Sequence, residues 1–117
     1  MKRSTDTAVI DQELDCAAKL ARFFPEAAAI RVPVQVTVLR GGEAKLREAT
    51  VLEFGGKQHA IFISTLPLEY EDRIRMERDS RNDGVADATV VAVQYHEGRK
   101  AVAVKFTPEL CAWVMQP

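Results

Sequence analysis

Most of the features that usually announce a chemistry are scarce in this sequence. Aromatic residues make up 7% of it and tryptophan occurs once, too little for the stacking platform that single-stranded nucleic-acid binders use. The formal net charge is only -1, from 16 basic and 17 acidic residues, so no overall field gathers a nucleic-acid polymer or an anionic membrane. The two cysteines, Cys16 and Cys111, match no metal-ligand spacing and read as reduced, small apolar side chains. No apolar run approaches the length of a membrane span. At the amino terminus, Asp11, Glu13 and Asp15 interrupt the chain before a signal-peptide core can form. The expectation is a cytoplasmic protein with no membrane partner.

Catalytic patterns are missing as well. His59 and His96 have no cysteine or carboxylate at a ligating spacing, and Ser64 follows apolar strand residues rather than a nucleophile turn. The glycine pairs Gly41-Gly42 and Gly55-Gly56 fall between strands, not ahead of a helix where a phosphate loop needs them. The sequence therefore predicts no enzyme, no metal and no obligatory cofactor.

What is present is a fold pattern. At 117 residues, with 47% hydrophobic and 28% charged residues, the chain is the size of one globular domain and can bury a core without staples. From Thr7 to Phe24, Ile10, Leu14, Ala17, Ala21 and Phe24 recur at spacings of four, three, four and three, which predicts an amphipathic helix stopped by Pro25. Such a stripe either covers an end or side of the remaining domain or pairs with a second copy in a homodimer. The stretch EAAAI, Glu26 to Ile30, could extend the helix or simply connect.

Strands follow. Val32, Val34, Val36 and Val38 alternate with Pro33, Gln35 and Thr37, a half-buried strand whose proline places its start at an edge or outside the paired region. A second strand spans about Ala44 to Phe54, with Ala49 and Val51 out of phase with Ala44 and Leu46, which predicts a bulge near Arg47 or Glu48. Gln58 to Thr65 is apolar enough to be covered on both faces. Asp72 to Arg78 points Ile74 and Met76 inward; its arginines Arg73, Arg75 and Arg78 interleave with Glu71, Asp72 and Glu77 as a solvated, ion-paired face. Val85 to Tyr95 and Ala101 to Phe106 form a hairpin. Thr107-Pro108-Glu109 reads as a helix start, with Leu110, Trp113 and Val114 plugging the domain. The fold class is mainly β: a six- to seven-stranded antiparallel barrel over residues 27–117, an amphipathic N-terminal helix over 1–26 and a short C-terminal helix.

The order of these elements, with Arg31 opening RVPV, the polar strand IRMER and the closing ADATVVAVQYHEGRKAVAVKF, resembles a PilZ domain over roughly Ala27 to Trp113. That resemblance implies a barrel and, in many members, binding of the bacterial second messenger cyclic di-GMP. The family's R-x-x-x-R places its second arginine on Arg31 and its first on Ala27. Its D/N-x-S-x-x-G places Glu53, Gly55 and Gln58 at the acid or amide, the serine and the glycine. Losing an arginine fork and a hydroxyl removes charge-assisted donors that a dianionic nucleotide needs. The candidate ligand-binding residues are Arg31, Glu53, Gly55, Gly56 and Lys57, the last three able to form an anion cradle from backbone N–H groups or a plain tight turn. Two readings follow: a signalling module that works through an unidentified protein partner, or a cyclic di-GMP receptor using a variant site.

Overall fold

The computed structural model describes residues 16–39, 46–78 and 85–107. Six antiparallel strands, β1 (Ala28–Val38), β2 (Arg47–Gly55), β3 (His59–Ile63), β4 (Arg73–Arg78), β5 (Val85–His96) and β6 (Arg99–Thr107), close into a barrel in the order β1-β2-β3-β6-β5-β4. Alternation explains the interior. Val32, Val34, Val36 and Val38 of β1 point inward and meet Leu52, Phe62, Ile74, Met76, Val90, Val102, Val104 and Phe106 from the other five strands. Pro33 is exposed, and the pairing of β1 with β4 begins only at Val34, so the missing N–H interrupts no ladder there.

β3 and β4 sit on opposite sides of the ring, so residues 64–72 must cross one end of the barrel. They carry Leu66 and Leu68 into the core as its plug. The crossing is tied down by side chains. Glu48 accepts from Ser64 Oγ at 2.7 Å, from Thr65 N at 2.9 Å and from Thr65 Oγ1 at 2.5 Å, and Ser64 Oγ accepts from Leu66 N at 3.0 Å. Lys100 Nζ donates to the Leu66 carbonyl, and burial pushes its pKa down from the ordinary lysine value. The C-terminal helix expected to act as plug lies outside the described residues; Thr107, its expected cap, is the last residue of β6.

Helical structure among the described residues is one short segment, α1 (residues 16–21), so most of the expected Thr7 to Phe24 helix falls outside them. It also ends earlier than Pro25 requires. Arg22, Phe23 and Phe24 each bond back three residues, to Lys19, Leu20 and Ala21, tightening the last turn before the chain turns again at Pro25 and Glu26. The stretch from Ala28 onward is strand, which resolves EAAAI as connection and strand rather than helix. Cys16, Ala17 and Leu20 are buried on the outer face of the sheet against Ile61, Ala101 and Ala103, with Ala21 and Phe24 beside them. The described part of the stripe, Ala17, Ala21 and Phe24, therefore packs on a side of the barrel in cis.

One further expectation needs correction. The pairing of β1 with β2 is regular from Thr37↔Arg47 to Val32↔Leu52, so no bulge lies at Arg47 or Glu48. Glu48 and Thr50 hold the inward phase instead, because both hydrogen-bond the crossing segment and its start, Thr50 Oγ1 reaching the Ile63 carbonyl at 2.8 Å. The irregularities fall between Ala29 and Val32, between Leu52 and Phe54, and between Val90 and Ala92. The β5–β6 hairpin turns on Glu97 and Gly98, both at positive φ (50° and 80°), the two-residue turn that matches strand twist.

Phe62 is fully buried at the middle of β3. Phe62→Ala is expected to lower unfolding free energy by about 3–5 kcal/mol in denaturant titrations, through lost burial and a cavity that the surrounding strands cannot close.

Candidate functional site

The turn between β2 and β3 brings the sequence-predicted residues to one end of the barrel. Gly56 N donates to the His59 carbonyl at 2.8 Å, so Lys57 and Gln58 form the apex and the glycines precede it. Neither glycine is there for its φ, since Gly98 is the glycine at positive φ among the described residues. Gly55 pairs with Ala28 on one side and Ala60 on the other. At Gly56 the reason is proximity: a Cβ would stand 2.8 Å from the Glu26 carbonyl oxygen and 3.2 Å from Glu26 Cγ.

Arg31 and Glu53 face one another across the β1–β2 irregularity. Ala29 pairs with Phe54 and Val32 with Leu52, leaving Ile30 and Arg31 opposite Glu53 alone, the two-against-one count of a bulge. Arg31 is exposed, whereas Glu53 is half-buried and engaged within the chain; burial foremost, and then the Glu53 carboxylate, raise the pKa of the Cys16 thiol. Lys57 is exposed at the apex.

Three residues of this end were not among the sequence candidates. Glu26 Oε2 lies 2.5 Å from His59 Nδ1, and the Phe24 ring stacks at a tilt on the imidazole with centroids 4.6 Å apart. The hydrogen bond from His59 holds the Glu26 carboxyl below the ordinary glutamate range. These contacts fasten the segment between α1 and β1 over Gly56. No local spacing could have revealed them, because Glu26 and His59 are 33 residues apart and meet only when the barrel closes.

The chemistry of this end follows from its groups. Arg31 and Lys57 bring two positive charges, and Glu26 and Glu53 bring two negative ones. The Gly56 N–H is taken up by His59 and its outer side is covered by Glu26. Among the described residues, no group of three or more His, Cys, Asp or Glu could hold a metal ion, and no helix is long and apolar enough to cross a membrane.

Gly56→Ala is expected to destabilise the fold by about 1–3 kcal/mol, because the backbone of Glu26 has to move. Glu26 gives a pH signature. Its folded pKa is lowered, so its contribution is present above the ordinary glutamate pKa near ~4.3 and is lost as pH falls through the lowered value. Unfolding measured across that range should show wild type above Glu26→Gln at neutral pH, the two curves converging in acid.

No family model matches this chain and no curated protein matches it, so the functional reading rests on the geometry of this turn and on the barrel that carries it.

Proposed function

We propose that the chain is a divergent PilZ-like module that acts in the cytoplasm through contact with a protein partner and does not hold cyclic di-GMP by that family's usual contacts. One observation carries this reading: at the β2–β3 turn, where the resemblance puts the ligand signature, the Gly56 N–H already donates to His59 and Glu26 lies over it. A dianionic ligand there would meet two carboxylates and lack both a serine hydroxyl and a second arginine fork. Large exposed side chains support a protein contact: Phe23, Tyr70 and Tyr95 are 75%, 67% and 72% exposed. Aromatic residues of this kind are enriched in protein interfaces.

A second reading has its own support. Arg31 and Lys57 are both exposed at this end, so a cyclic di-GMP receptor could use them with the Glu53 to Gln58 segment. Calorimetric titration of the purified protein with cyclic di-GMP, with Arg31→Ala as control, separates the two. The module reading expects no saturable heat at high micromolar nucleotide. Micromolar binding weakened by Arg31→Ala would replace it with the receptor reading.

A further inference from the structure

Along one stretch of β5 the barrel wall is open. The pairing of β4 with β5 ends at Arg73↔Thr89, and Val90 makes the last rung, donating to the Asp72 carbonyl and accepting from Glu71 N, both at 2.8 Å. From Val91 to His96, β5 pairs with β6 alone. The two-residue turn makes His96↔Arg99 a hydrogen-bonded pair, and alternation gives Gln94↔Ala101 and Ala92↔Ala103 the same bonds. Val93 and Tyr95 therefore turn their N–H and C=O groups to the open side, where no described strand or loop backbone bonds to them.

Residues 28–33 of β1 also run past β4, but that stretch is guarded. Arg31 puts a charge on it, Pro33 removes a donor, and the irregularity between Ala29 and Val32 bends it, three devices that keep a strand edge from pairing. Residues 91–96, VAVQYH, hold no Asp, Glu, Lys, Arg or Pro, and the bulge at Val91 stops short of Val93. The order of these residues is self-complementary about Gln94. In an antiparallel pairing centred there, Val93 of each copy exchanges backbone bonds with Tyr95 of the other, about four hydrogen bonds in all. Gln94 then faces Gln94, and Ala92 faces His96. An aromatic side chain against a β-branched one is a favourable cross-strand pair, and two amides can each donate and accept. Tyr95 is 72% exposed and so has surface to cover.

We propose that two copies of this chain pair through residues 91–96 of β5, joining their barrel walls into one sheet across a two-fold axis at Gln94. Charge does not drive this pairing. Glu69, Glu71 and Asp72 of the crossing segment, Glu97 of the turn and Glu53 surround the stretch, against Lys100, which holds the Leu66 carbonyl, Arg99, which is engaged within the chain, and Lys19. The excess is acidic and lies beyond the paired residues, so added salt screens a repulsion rather than an attraction. With few bonds and a small area, the dimer is a weak one, half-formed at roughly 10–100 μM. It uses neither Arg31 nor the β2–β3 turn and stands whether or not a cyclic nucleotide binds.

Analytical ultracentrifugation of the full chain over a concentration series tests this, with amide hydrogen exchange followed at both ends of the series. A monomer–dimer equilibrium that persists at ~0.5 M salt is expected, with exchange at Val93 and Tyr95 slowing as the dimer forms. Gln94→Lys and Gln94→Glu each set like charges opposite one another on the axis and should each weaken the dimer by about fivefold or more, while an equimolar mixture of the two should recover it. Tyr95→Ser, at an exposed residue, should weaken it as well, and Phe23→Ser, away from β5, should not. Each variant is first checked for an unchanged fold by its amide spectrum. A dimer indifferent to Gln94→Lys and Tyr95→Ser would overturn the proposal, as would one whose slowed amides lie elsewhere. So would a monomer up to ~1 mM: slow exchange at Val93 and Tyr95 in that monomer would assign the open side to a segment of the same chain, and fast exchange would leave it to a different protein.

Discussion

The structure depends on two strands being buried on both faces. β3 and β6 send Ala60, Phe62, Val102 and Val104 into the barrel and Ile61, Ala101 and Ala103 outward under α1. A barrel this small excludes water from its interior by closure alone, but its outer face needs a cover wherever the sequence is apolar. The short helical segment supplies that cover. Alanines on β6 let it come close, and Cys16 and Leu20 fill the space between helix and sheet. The two hydrophobic clusters thus share a wall one strand thick.

Polar residues at the ends keep this arrangement in register. At one end Glu48 gathers the donors of Ser64 and Thr65 while Lys100 grips the Leu66 carbonyl, so the crossing segment cannot slide without leaving buried polar groups unpaired. At the other end Glu26 and His59 hold the connection between α1 and β1 against Gly56. Glu71, a residue with a side chain at a φ of 76°, sits just before β4, where its N–H bonds to the Val90 carbonyl at 2.8 Å. That bond, with the Asp72 carboxylate accepting from Glu69 N at 2.8 Å, offsets the cost of the conformation.

The strands were legible because their alternation is local. The valines of β1, Ile74 and Met76 of β4, and the continuous apolar run of β3 each declare their faces within a few residues. β2 misled because Glu48 and Thr50 are polar yet point inward, satisfied by partners more than ten residues away. Ala49 and Val51 therefore looked like the core phase while facing out. The candidate turn was legible in position and not in role: the glycines at 55 and 56 marked a β2–β3 turn, but the need for glycine at 56 comes from Glu26, on a segment that arrives from the other side of the sheet.

Closure also sets how this molecule can be recognised. Every described strand has a hydrogen-bonded neighbour on both sides, but β4 is short, so residues 28–33 of β1 and 91–96 of β5 run past it with a paired strand on one side alone. Recognition by backbone pairing, which tolerates many partner sequences, is confined to those two stretches. Elsewhere a molecule that binds the barrel wall must read its side chains, and the selectivity of that contact is written in the identity of the outward residues rather than in the geometry of an edge.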